Sequence, residues 1–212
     1  MADYLITRPE HDDTTHYLSH WGKETIGMAE KRGMKVFDLH REKAIKTEVE
    51  GRLKKMSSAL VVFNGHGSED AVTGHKNLPL ITAGDNEKLL KSKIVFAISC
   101  KSALKLGPKS VESGALNYTG FDDDFIFFYE PEKISRPLSD ETAKLFLEPS
   151  NRFIESMIKG NSVGVSRERA VQFFRDNTTK VLGSNSKDTN LARFLLWDLK
   201  HFVSHGDLNA GI

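Results

Sequence analysis

Cysteine is nearly missing from this sequence: Cys100 is the single thiol among 212 residues. A lone cysteine excludes an internal disulfide framework and any zinc site built on two or more thiolates, and it points to a reducing compartment. An excess of charge is missing too. Thirty Lys and Arg against 29 Asp and Glu leave a formal charge of +1, which gives no electrostatic reason to expect a nucleic-acid partner. Long apolar runs are also lacking. The longest, residues 59–63 and 94–98, have the length of strands and fall far short of the ~20 residues of a membrane span. The first residues have neither the basic start nor the apolar stretch of a secretory signal. Prolines are few, six in all, and no Pro/Gly linker, internal repeat or low-complexity tract divides the chain. The expectation is a soluble, cytoplasmic protein with one domain over residues 1–212, no membrane contact and no direct nucleic-acid partner.

What is present is alternation. Residues 4–7 form a short apolar run stopped by Arg8-Pro9, and Asp12, Asp13 and Thr14 offer N-cap chemistry for a helix to about Arg32. Gly33 suits the left-handed position after that helix. Residues 35–39 read as a second strand. Residues 42–56 place Ile45, Val49, Leu53 and Met56 at helical spacing, with Gly51 weakening the helix. Residues 59–63 and 94–98 are apolar without interruption, the pattern of strands buried on both faces of a parallel sheet. Between them the sequence predicts a polar loop with Pro79 and Gly84, then a short charged helix near 85–91. A fifth strand is expected at 115–121, and the aromatic run 125–129 extends it or starts another. From about residue 139 the pattern turns helical, over 139–147, 151–158, 166–179 and 189–203, with Pro149 and Gly160 as separators. Strand–helix alternation followed by helices predicts an α/β sheet flanked on both faces.

In such sheets chemistry gathers beyond the carboxyl ends of the strands. Two of the most apolar strands each run into a reactive side chain. The first ends in Asn64-Gly65-His66-Gly67, the second in Ser99-Cys100-Lys101-Ser102. Adjacent parallel strands lie roughly 5 Å apart, so His66 and Cys100 would face one cleft. A thiol needs a base or a positive neighbour to become a thiolate, and a histidine can supply this and later protonate a leaving amine. The Gly67 and Cys100 N–H groups, both just past strand ends, could hold a developing oxyanion.

From Leu60 to Gly120 the chain resembles the caspase-like cysteine peptidases (clan CD), in particular the gingipain-like and CHAT-domain branch. The matching features are an apolar strand into Gly65-His66-Gly67, another into Ser99-Cys100, and then Gly114-Ala115-Leu-Asn-Tyr-Thr-Gly120-Phe121. Residues 158–170 also resemble the helix pair that closes a CHAT domain. The resemblance implies a caspase-like three-layer α/β/α sandwich with a mostly parallel central sheet. It also implies a catalytic dyad of His66 and Cys100 and a cleft walled by the strand after Cys100. It further implies a protein substrate, no cofactor, and regulation by an activating partner protein, oligomerisation or processing, with relatives in prokaryotic defence. Ser99 departs from the pattern, because metacaspases carry an acidic residue before the cysteine. In arginine- and lysine-specific relatives an aspartate in the cleft pairs with the basic P1 side chain. By resemblance Asp122, Asp123 and Asp124 would bind such a side chain, and cleavage would follow Arg or Lys.

Other readings stand beside this one. A catalytically silent caspase-like scaffold or partner-binding module would use the same fold without the chemistry. A metal-dependent hydrolase would draw on His66, Asp70 and His75. His11, His16 and His20 lie on or near the first helix and could place a metal on one face, although a solvated face explains them as well. Lys101 could favour a Cys100 thiolate through its charge.

Overall fold

The computed structural model describes residues 2–183 and 189–212. Its sheet grows outward from two strands, β3 (Ala59–Asn64) and β6 (Ile94–Ile98), which are buried at every position. They pair in parallel, with Asn64 opposite Ile98. The one polar residue among them, Asn64, donates from Nδ2 to the Thr7 carbonyl oxygen at 3.0 Å. β1 (Asp3–Arg8) lies beside β3 and β2 (Lys35–His40) beyond it, while β7 (Asn117–Phe121) and β8 (Phe202–Gly206) complete the order β2-β1-β3-β6-β7-β8. The first five strands run parallel, and β8 is antiparallel to β7. The expected α/β/α sandwich around a mostly parallel sheet is present.

Alternation along the buried strands divides the core into two layers. Tyr4, Ile6, Leu60, Val62 and Phe96 face one side. There they meet α1 (Asp13–Lys31), α4 (Glu141–Ile158), α5 (Val163–Gly183) and α6 (Ala192–His201), through side chains such as Trp21, Phe153, Phe174 and Leu195. Leu5, Val61, Phe63, Val95 and Tyr118 face the other. There they meet α2 (Lys46–Leu53), α3 (Leu106–Glu112) and a hairpin of β4 (Ala71–Thr73) and β5 (Pro79–Thr82).

The sequence places β1, β2, β3, β6 and the first helix within a residue or two, including Asp12 as N-cap and Gly33 in a left-handed conformation with φ of 75°. Elsewhere the structure differs. The loop after β3 contains the β4–β5 hairpin, and the helix expected near 85–91 is a single 3-10 turn, Glu87–Leu90. Residues 125–129 form no strand, and Phe125, Phe127 and Tyr129 pack onto the core. The last expected helix stops at His201, because Phe202 onward pairs with β7 as an edge strand.

Pro149 does not separate two helices. It lies inside α4, which runs unbroken. A proline there has no N–H for the carbonyl four residues back and normally breaks a helix. That carbonyl belongs to Leu145, and Asn177 Nδ2 of α5 donates to it at 2.7 Å. A side chain from a neighbouring helix thus replaces the lost backbone donor. Asn177→Leu is expected to destabilise the chain by about 0.5–1.5 kcal/mol in denaturant unfolding. The same change in a Pro149→Ala background, where the backbone bond can re-form, is expected to cost measurably less.

Candidate active site

In an open parallel sheet the crevice for ligands lies where the strand order reverses. Here that point falls between β1 and β3: the chain steps outward from β1 to β2, then returns to pair β3 on the other side of β1. The loop after β1 carries Glu10 and Asp12, and the loop after β3 carries His66. Cys100 follows β6, and Asp122, Asp123 and Asp124 follow β7. Four loops therefore converge on one sheet edge.

Asp12 and His66 meet across the reversal point. The His66 Nε2 lies 2.8 Å from Asp12 Oδ2. The other carboxylate oxygen of Asp12 accepts the Thr15 N–H at 2.8 Å and closes the first turn of α1. Burial alone would raise the Asp12 carboxyl, but the Thr15 N–H and His66 outweigh it and hold the group below the ordinary carboxylate range. A carboxylate only accepts, so Nε2 must carry the proton, and in the neutral ring Nδ1 carries the lone pair. The sequence marked Asp12 only as a helix cap. Its second contact spans 54 positions, a separation no local pattern reveals.

His66 and Cys100 each lie two residues beyond the paired Asn64 and Ile98. Ser99 Oγ donates to the His66 carbonyl oxygen at 2.9 Å and ties the two loops together. The glycines make this approach possible. Gly65 has φ of 151°, and a Cβ there would meet the Thr73 carbonyl. A Cβ on Gly67 would overlap Ser99 Oγ. Gly67 sits opposite Val72 in an isolated antiparallel bridge whose hydrogen bonds run through its neighbours. Among the described residues, neither the Gly67 nor the Cys100 N–H has an acceptor.

The Cys100 thiol bonds to the Phe125 carbonyl oxygen at 3.8 Å rather than to His66. Burial pushes the thiol above its ordinary value, and the Asp124 and Asp198 carboxylates add to that. Lys101 does pull the thiol down through its charge, as expected, but burial outweighs it; its backbone is left-handed (φ 59°). Its Nζ sits 3.2 Å from Asp124 Oδ2 and 3.9 Å from Asp123 Oδ1. Asp122 is paired with His201 Nδ1 at 2.7 Å. Asp124 lies close enough to Cys100 to act on its thiol, while Asp122 and Asp123 have partners within the protein. Asp198 is an acid the sequence did not single out. It is fully buried on α6, its Oδ1 accepts the Ile126 N–H at 3.0 Å, and its Oδ2 has no partner among the described residues. Burial pushes its carboxyl well above the usual range. His66, Asp70 and His75 do not converge as a metal site. His66 is held by Asp12, and Asp70 accepts from Ser68. Alkylation of Cys100 by iodoacetamide is expected to be slow at neutral pH, with a midpoint above the ordinary thiol value of about 8.5. A midpoint at or below that value contradicts this geometry.

No protein-family model matches the chain, and no curated protein matches it. Solved structures do. The crystal structure of the Arg-specific cysteine proteinase gingipain R superposes with a TM-score of 0.62 at 13% identity, covering 100% of this chain and 47% of the other. The complex of the pro- and mature domains of Porphyromonas gingivalis RgpB gives a TM-score of 0.59 at 11% identity, covering 100% of this chain and 48% of the other. The chain thus spans about half the length of the structures it matches. At this identity the likeness establishes the fold alone. It supports the gingipain-like part of the expectation and lends nothing to the CHAT branch. The chain has the caspase-like fold of the gingipains.

Proposed function

We propose that the chain is a cysteine endopeptidase acting through a Cys100–His66 dyad, with Asp12 as the residue that positions the imidazole. What supports this reading is that His66 and Cys100 each follow, by two residues, the paired ends of the neighbouring parallel strands β3 and β6, beside the point where the strand order reverses. Substrate binding displaces the thiol from the Phe125 carbonyl. The thiol proton passes to His66 Nδ1, and the sulfur attacks the scissile carbonyl carbon. The unoccupied Gly67 and Cys100 N–H groups receive the oxyanion. His66 then gives its proton to the departing amine, leaving a thioester. Water, deprotonated by the same imidazole, hydrolyses that thioester and releases the thiol. The steps need no cofactor.

Within this reading the substrate is a protein and the P1 residue is basic. A guanidinium or ammonium would exchange with Lys101 for Asp124, which is half exposed. The Asp124 carboxyl group lies close to the nucleophile. The raised thiol and its bond to Phe125 favour a second reading, a caspase-like module that binds a partner without cleaving it, or one that an activating partner protein must switch on.

A peptidyl acyloxymethyl ketone with Arg at P1 separates the readings. Single-site labelling of the native chain and none of Cys100→Ala supports the peptidase. No labelling of either supports the silent module. A P1 panel of fluorogenic peptides tests the basic preference, which a preference for Leu, Asn or Asp overturns. If the peptidase reading holds, His66→Ala is expected to lower kcat/KM by about 10²–10⁴-fold. Asp12→Asn keeps a good helix cap, so it is expected to retain the melting temperature while lowering kcat by a smaller factor.

A further inference from the structure

Among the described residues, one group of three or more His, Cys, Asp or Glu side chains brings its ligand atoms within 4.8 Å of one another: Glu10, His16 and His20. It lies outside the dyad, at the start of α1, with Glu10 and His16 on the wall of a cavity of about 410 Å³ that is open to solvent. His16 and His20 are four apart and share one face of the helix. Their rings stand 4.3 Å apart between centroids. Glu10 reaches them from the loop after β1.

Each imidazole has one nitrogen already committed to a backbone carbonyl. His16 Nε2 donates to the Ile134 carbonyl oxygen at 2.8 Å, and His20 Nδ1 to the His16 carbonyl oxygen at 3.0 Å. In the neutral rings the other nitrogens, Nδ1 of His16 and Nε2 of His20, then carry lone pairs. This is the outer-shell arrangement that orients histidine ligands on a metal. His16 Nδ1 faces Glu10 Oε1 at 3.1 Å. A lone pair and a carboxylate oxygen that close need a positive charge between them, either a proton or a metal ion. The Glu10 side chain is 9% exposed, so water screens that charge little.

We propose that Glu10, His16 and His20 bind a divalent transition-metal ion of the zinc class. Two imidazoles and one carboxylate are a three-ligand set for zinc and leave a fourth position to water or another donor. The donor set, borderline nitrogen with oxygen and no thiolate, suits zinc, cobalt and nickel better than calcium or magnesium. Arg41, which donates to Glu10 Oε1 at 3.1 Å and to Oε2 at 3.2 Å, and His40, whose Nε2 lies 2.6 Å from Oε2, compete with the ion for the carboxylate. The Arg41 side chain is 56% exposed and free to swing into solvent.

The test uses the full chain without an affinity tag, carrying Cys100→Ala and His66→Ala so that the dyad itself offers no ligand. Calorimetric titration with zinc chloride is expected to give one ion per chain, and zinc is expected to raise the melting temperature. His16→Gln and His20→Gln, made separately, are each expected to weaken binding by at least about tenfold and to abolish the thermal shift. Arg41→Ala is expected to tighten it. Two independent histidine variants keep the test decisive should one fold poorly. Absence of stoichiometric binding, or an affinity unchanged in either folded histidine variant, overturns the proposal.

Discussion

Everything chemical in this molecule takes its height from one pairing, that of β3 with β6. Both strands are buried on both faces, so their register is fixed by side chains packed above and below the sheet. A slip of one residue would turn Phe63 and Val95 into the wrong layer. Fixed register sets the level from which the chain leaves each strand toward His66 and Cys100. The Ser99–His66 contact and the bare backbone of Gly67 then let the two loops touch. The strands supply position, and the loops add only polarity and close approach.

The fold was legible where burial imposes a simple pattern. Uninterrupted apolar runs gave the central strands, and Asp12 with Gly33 bounded the first helix. It was illegible where a distant group overrides a local rule. Pro149 reads as a helix breaker because the donor that rescues it, Asn177, lies 32 positions away. Phe202 and Val203 suit a helix or a strand equally, and only the open edge of β7 decides. The candidate site divides in the same way. His66 and Cys100 were visible because each follows a strong strand. Asp198 was hidden in an ordinary amphipathic helix, and only its burial against residue 126 marks it out.

The charges around Cys100 are closed on themselves. Lys101 answers Asp124, and His201 answers Asp122. Trp197 Nε1 holds the Asp124 carbonyl oxygen at 2.9 Å and so fastens the acidic loop to α6. The nucleophile candidate sits in this partly buried, acidic setting as a neutral thiol. Reactivity in such a place has to come from what binds there, because the resting surroundings oppose ionisation.

Asp12 serves two masters with its two oxygens, the first turn of α1 and the imidazole of His66. Helix ends fray more readily than strands at the centre of a sheet. When that first turn opens, the carboxylate swings away and the histidine loses the tautomer it was held in. On the peptidase reading proposed above, warming would silence the dyad some degrees before the sheet gives way, so that the thermal limit of activity would lie in a single helical turn rather than in the core.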